Sequence, residues 1–232
     1  MTTEKILKVH ELTKIFPHPS LKNTNIPIFG SASFQLTSSK PNFIIGVSGS
    51  GKTTLFRILA SLESIDAGEI FLDDLAIHLL QGQSKRDYLK SIGFLDQFPA
   101  KFLALNLTVR ENLDYILLIK TDLVREERKK RIDEITKKFD IYQLHETKTL
   151  YLSGGELRRL SLAYNMVFEP ILLLCDEPTS QLDLENKTRI LKNIQALNES
   201  FDSLIFIATH DRNILNKNPT YEIKERRIVQ CQ

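Results

Sequence analysis

The sequence predicts an α/β fold, a parallel sheet interrupted by a helical insert, on three observations. The apolar run Phe43-Ile44-Ile45 passes through a glycine-rich turn, Gly46–Thr53, into the helix-forming stretch Thr54–Ala60. Ile171–Cys175 and Leu204–Ala208 are apolar at every position, as expected of strands buried on both faces. From Phe98 to about Phe168 the pattern turns helical and heavily charged. The expected organisation is one domain over 1–232, with approximately 98–168 as a helical subdomain inserted into the α/β core.

The whole-chain properties narrow the function classes. A chain of 232 residues, 42% hydrophobic and 26% charged, is long enough to bury a sizeable core. Its net charge of +2 gives no reason to expect nucleic acid as a partner. Cys175 lies in an apolar run and Cys231 one residue from the end, a usage that fits a reducing compartment better than a disulfide framework. Met1–Lys5 lacks the basic-then-apolar pattern of a signal peptide. The longest apolar runs are strand-sized, far short of a bilayer span.

Taken in order, Ile6–Leu12 and Ala32–Leu36 read as strands around a loop rich in Pro, Asn and Ser, Pro17–Pro27. Ser39-Lys40-Pro41-Asn42 turns the chain into the strand before the glycine-rich loop. Ala67-Gly68 is expected to be a turn, Glu69–Asp73 and Ser91–Gln97 strands. Thr108 opens one helix, and Leu123–Phe139 forms another with Leu123, Ile132, Ile135 and Phe139 spaced as a buried stripe. The cluster Arg128–Arg131 is nearly balanced by Glu126, Glu127, Asp133 and Glu134, which reads as a solvated face. Asp183 is placed to cap a helix running to Asn198. Thr220–Lys224 and Arg227–Gln230 fit a terminal hairpin.

Strand, glycine turn and helix in that order form the context of a phosphate-cradling loop. Glycines let successive main-chain N–H groups face one anion at the positive end of a helix. Lys52 then reaches the β- and γ-phosphates, and the Thr53 hydroxyl is suited to Mg²⁺. Asp176-Glu177 follow a buried strand directly. One carboxylate there can serve Mg²⁺ and its neighbour can orient or deprotonate the attacking water, although two such residues also make an ordinary solvated turn. Gln97 and His210 each end a strand of the same sheet, the edge where ligands bind in such folds. Either could instead be a plain structural residue. Ser153-Gly154-Gly155-Glu156 is a second glycine turn before a helix, either a simple helix start or an anion site.

The ordered set of these motifs resembles the nucleotide-binding subunit of an ATP-binding cassette (ABC) transporter over nearly the full length. Gly46–Thr53 matches the Walker A loop, Gln97 the Q-loop glutamine, and Leu152–Glu156 the signature motif. Ile171–Glu177 matches Walker B with its catalytic glutamate, Ser180–Asp183 the D-loop, and His210 the switch histidine. The resemblance implies a P-loop NTPase core with an antiparallel β subdomain and an inserted helical subdomain. It implies ATP and Mg²⁺, with catalysis by Glu177, His210, Gln97 and Lys52. Nucleotide contacts fall on Phe16 against adenine, on Gly46, Ser48, Gly49, Ser50, Gly51, Lys52, Thr53 and Thr54, and on Ser153, Gly154, Gly155 and Asp183 across a dimer. Metal contacts fall on Thr53, Gln97 and Asp176. It further implies a homodimer or pseudo-symmetric dimer with a second cassette. A multi-spanning permease would dock just after Gln97, with the subunit peripheral on the cytoplasmic face of the inner membrane.

The wording around these motifs is most similar to the branch containing lipoprotein-releasing, macrolide-exporting and cell-division ATPases. Departures include Pro41-Asn42, Asp96 before Gln97, Leu162–Asn165 after the signature, Gln181 in the D-loop, and Glu225-Arg226 near the end. None removes a catalytic group. A soluble cassette ATPase acting on ribosomes or DNA is one rival, and usually carries two cassettes or a long coiled coil. A non-hydrolysing regulatory subunit is another, disfavoured by the intact Glu177 and His210. A small-molecule kinase with the same loop is disfavoured by Leu152–Glu156.

Overall fold

The computed structural model describes residues 4–21, 23–96, 98–180, 184–201, 203–215 and 218–231. Two sheets organise it. The first is antiparallel and built from β1 (Ile6–Pro17), β2 (Asn25–Thr37), β4 (Ala67–Leu72) and the short β5 (Leu75–Ala76), in the order β2-β1-β4-β5. The second contains β3 (Asn42–Ile45), β6 (Ile92–Leu95), β7 (Leu172–Asp176), β8 (Leu204–Thr209), β9 (Thr220–Lys224) and β10 (Arg227–Gln230). Its order is β10-β9-β3-β8-β7-β6, parallel throughout except for β10 at one edge.

The uninterrupted apolar runs follow from this topology. Side chains alternate across a strand. Leu172, Leu174, Leu204 and Phe206 face one core, with α1 (Lys52–Leu59) and the antiparallel sheet. Leu173, Cys175, Ile205 and Ile207 face the other. That second core is completed by α3 (Val109–Lys120), α4 (Arg125–Lys138), α5 (Gly154–Met166) and α6 (Leu184–Phe201). With both faces covered, no polar position is left in either strand before its last residue, Asp176 or Thr209.

The helical layer is bounded by caps legible in the sequence. Thr108 Oγ1 accepts from the Glu111 N–H at 3.2 Å, while Glu111 accepts from the Thr108 N–H at 2.7 Å. This reciprocal pair satisfies two orphan donors of α3. Ile132 and Ile135 on α4 and Phe139 just past its end are buried, as the stripe predicts, while Leu123 lies before the helix and is half-buried. The adjacent basic cluster stays at the surface, where Arg128 pairs with Asp114 at 2.7 Å and Arg131 with Glu169 at 3.3 Å.

Three local expectations are corrected. The loop at Pro17–Pro27 is much shorter, because β1 and β2 continue to pair through Ile15↔Pro27, Phe16↔Ile26 and Pro17↔Asn25. β2 is an edge strand, where a missing N–H costs no ladder bond. Ala67 and Gly68 belong to β4 instead of a turn. β1 bulges opposite them with Glu11 at φ 49°, and a Cβ on Gly68 would lie 2.6 Å from the carbonyl oxygens of His10 and Glu11. The glycine admits the bulge rather than reversing the chain. Finally, the stretch between β5 and β6, to which the sequence pattern assigns no element, forms α2 (Gly82–Ser91). It buries only Tyr88, too little apolar periodicity to register, and is fastened by the Tyr88 hydroxyl donating to the Leu59 carbonyl at 2.6 Å.

Candidate functional site

The site begins where β3 delivers the chain to α1. Gly49 and Gly51 have φ of 76° and 106°, values that a side chain would strain. A Cβ on Gly51 would also stand 2.7 Å from Ile28 Cγ2 and 3.1 Å from the Phe29 ring. No side chain caps α1, and its first turn contains no acidic residue. The amide N–H groups at this end are therefore left for an anion, reinforced by the helix dipole. Lys52 is 8% exposed. Its ammonium donates to the carbonyls of Gly46 at 2.7 Å and Val47 at 3.2 Å, folded back across the loop.

β7 places the acidic groups opposite. The Thr53 hydroxyl donates to Asp176 Oδ2 at 2.6 Å, joining the start of α1 to the end of the central strand. Burial pushes the Asp176 carboxyl above the usual range, partly opposed by the Thr53 hydrogen bond and raised further by Glu177. Glu177 adopts φ 50°, and its N–H donates to the Ala208 carbonyl at 2.9 Å. The turn aims its carboxylate at His210 Nδ1, 2.9 Å away. The His210 side chain is largely exposed and that of Glu177 largely buried.

These elements enclose a cavity of about 610 Å³, with Val47–Gly49 and Gly51–Thr54 facing Asp176, Glu177 and His210. It therefore brings together Ser48, Gly49, Gly51, Lys52, Thr53, Thr54, Asp176, Glu177 and His210 from the expected set. Gly46 and Ser50 belong to the loop but do not line the cavity. Gly46 accepts from Lys52, and Ser50 Oγ is buried without a hydrogen-bond partner among the described residues. Phe16 does not line the cavity. It is half-buried on β1, paired with Ile26, with the Lys14 ammonium 4.6 Å from its ring centroid. Ser153, Gly154 and Gly155 also stand apart, at the start of α5. Ser153 accepts from the Glu156 N–H, and the Glu156 carboxylate accepts from the Ser153 hydroxyl at 2.7 Å. Gln97 and Asp183 lie outside the described residues.

Two participants escaped sequence reading. Ile28 lines the cavity from β2, with nothing in its local pattern to single it out. Arg158, a charged residue in the buried stripe of α5, is 3% exposed. Its position one helical turn before the apolar Leu162 was the available signal.

The donor set also bears on Mg²⁺. No group of three or more His, Cys, Asp or Glu side chains suited to a metal occurs among the described residues. Mg²⁺ ordinarily takes one or two protein oxygens, with substrate phosphates and waters completing its shell. The Thr53 hydroxyl and Asp176 carboxylate, already in contact, fit that requirement.

A family model described as "ABC transporter" matches residues 29–180. The chain is 33% identical over 221 residues to the lipoprotein-releasing system ATP-binding protein LolD of Buchnera aphidicola subsp. Schizaphis graminum, covering 94% of this chain and 93% of that one. Among solved structures, it resembles a dimeric ATP-binding cassette in a post-hydrolysis state bound to ADP and Pi. There the TM-score is 0.85 at 25% identity, over 97% of this chain and 98% of the other. It also resembles cbiO1 of Clostridium perfringens, described as part of the ABC transporter complex cbiONQ, with TM-score 0.86, 27% identity, and coverage of 98% and 88%.

Proposed function

Because this chain belongs to the ABC transporter family as an ATP-binding and hydrolysing subunit, we propose that its ATPase cycle drives a separate multi-spanning membrane permease. In the proposed cycle two cassettes close on ATP and reopen after hydrolysis. The observation that carries the chemistry is the 2.6 Å contact between Thr53 and Asp176. It joins the phosphate loop to the strand end where Glu177 and His210 stand.

Lys52 exchanges the Gly46 and Val47 carbonyls for β- and γ-phosphate oxygens as ATP enters. Thr53 and Asp176, with Gln97, would hold Mg²⁺, which would supply charge compensation on the phosphates. Glu177 accepts from His210 through Oε1, leaving its second oxygen to take a proton from the attacking water. His210 fixes the carboxylate's direction and, being exposed, stands where a γ-phosphate can reach it. Ser153, Gly154 and Gly155 lie away from this chain's own cavity, which suits contact with the nucleotide of a second cassette. Asp183 is assigned to the seam between them, and Phe16 to the adenine face.

The partner reading draws on a groove of about 220 Å³ beside the end of β6, lined by Leu62, Phe94, Phe102, Ile116, Lys120 and Tyr164 among others. Leu62 and Phe102 are exposed apolar residues, suited to an apolar segment of the permease. No helix among the described residues is long and apolar enough to cross a membrane. In this reading the membrane is reached through the partner, from its cytoplasmic face. The test is a pull-down from detergent-solubilised native membranes with ATP and the Glu177→Gln variant. Recovery of a multi-spanning permease is expected; recovery only of ribosomal or other soluble proteins would overturn the transport role.

A further inference from the structure

Among the described residues Arg158 is the most deeply buried charged side chain touching the catalytic turn, and it enters from a different layer. Its Nε donates to the Pro178 carbonyl at 2.6 Å, one terminal nitrogen donates to the Glu177 carbonyl, and the other donates to the Asp96 carbonyl at 3.3 Å. Burial pushes its pKa down, opposed by surrounding groups that include Asp96, Asp176 and Glu177. Desolvating a guanidinium is unfavourable unless its donors are met. Here three donors meet main-chain oxygens, which fixes where the backbone runs.

Each oxygen belongs to a segment with a task. Glu177 and Pro178 form the turn after β7, where Glu177 is held at φ 50°, a conformation that persists only when its surroundings enforce it. Asp96 is the residue before Gln97. α5 is also pinned to β6 further along, where Asn165 Oδ1 accepts from the Phe94 N–H at 3.0 Å. Arg158 lies one turn into α5 from Ser153–Gly155, the residues assigned above to the second cassette's nucleotide.

We propose that Arg158 is a positioning residue that ties the start of α5 to the Glu177–Pro178 turn and the end of β6, so that the seating of α5 sets the direction of the Glu177 carboxylate. This inference rests on the reading of Glu177 as the general base. It makes hydrolysis conditional on the helix that would sense the second nucleotide. A planar fork is needed because the three carbonyls come from two separate segments.

The test compares wild type, Arg158→Gln, Arg158→Lys and Glu177→Gln, plus both Arg158 variants in the Glu177→Gln background. ATP affinity and single-turnover hydrolysis at saturating Mg²⁺-ATP are measured for each. Arg158→Gln is expected to lower the hydrolysis rate about 10- to 100-fold with affinity changed less than threefold, and Arg158→Lys to retain part of the rate. In the Glu177→Gln background either substitution should change the residual rate less than threefold, because its effect runs through the lost carboxylate. Equal fold-losses in both backgrounds, or wild-type turnover in the single variants, would overturn the proposal. Should Arg158→Gln fail to fold, Arg158→Lys decides by the same criteria. Wild-type turnover in Glu177→Gln itself would instead overturn the general-base reading, a distinguishable failure.

Discussion

Replacing Lys52 by Met keeps most of the buried stem and removes the charged end. In the structure that end makes two hydrogen bonds, at 2.7 Å to Gly46 and 3.2 Å to Val47. On binding, the same donors turn to phosphate oxygens. Hydrogen bonds involving a charged group contribute about 1.5–3 kcal/mol each, so two lost phosphate contacts cost about 3–6 kcal/mol. At 1.4 kcal/mol per decade, ATP affinity should fall about 10²- to 10⁴-fold. The fold should survive, because losing the two loop bonds is offset by no longer burying an ammonium. Isothermal titration with Mg²⁺-ATP measures the affinity, with circular dichroism as the control for folding. A folded variant that binds ATP within threefold of wild type would refute the phosphate-loop argument.

Other consequences follow from single contacts. Gly68→Ala should destabilise the protein by about 1–3 kcal/mol, because its φ of 97° and the 2.6 Å approach to the His10 and Glu11 carbonyls leave no room for a methyl group; an unchanged denaturation midpoint would contradict this. Asp176 has its pKa raised in the fold by burial. The folded protein therefore binds more protons than the unfolded chain in the window above the ordinary value of 3.8, and this residue's contribution to stability falls as pH rises through that window. Asp176→Asn should thus melt higher than wild type at neutral pH, by about 2–4 °C for each kcal/mol relieved, with a gap that narrows as pH falls toward the ordinary carboxylate range. A gap that grows on acidification would contradict the burial argument.

The legible parts of the sequence were those in which one physical rule acts locally. The terminal hairpin alternates and turns at Glu225-Arg226, and its strands fall where the pattern puts them. β7 and β8 are apolar up to their last residues, Asp176 and Thr209, because both faces are covered. Thr108 and Ser153 announce helix starts through acidic partners three residues on. What escaped depends on distant chain. Pro17–Pro27 reads as loop until β1 offers it a partner strand. α2 has almost no apolar stripe because it touches the core through Tyr88.

The candidate site divides along the same line. The loop residues and the strand-end carboxylates were readable because one local rule governs each, strand–turn–helix or a strand terminus. Arg158 was not, because its meaning lies in carbonyls at positions 96, 177 and 178 that only the fold assembles. The departures from the family pattern are likewise structural when seen in place. Asn42 is buried and donates to the carbonyls of Thr37 at 2.8 Å and Lys40 at 3.0 Å, closing the turn before β3. Asn165 fastens α5 to β6.

The most direct test of the central claim is single-turnover hydrolysis by Glu177→Gln at saturating Mg²⁺-ATP, with ATP affinity measured alongside. A general base contributes about 10²- to 10⁴-fold, so the rate should fall by that factor while affinity stays within threefold of wild type. Hydrolysis within about tenfold of wild type, below the range a general base supplies, would show that the carboxylate beside His210 is not the group that takes the proton from water.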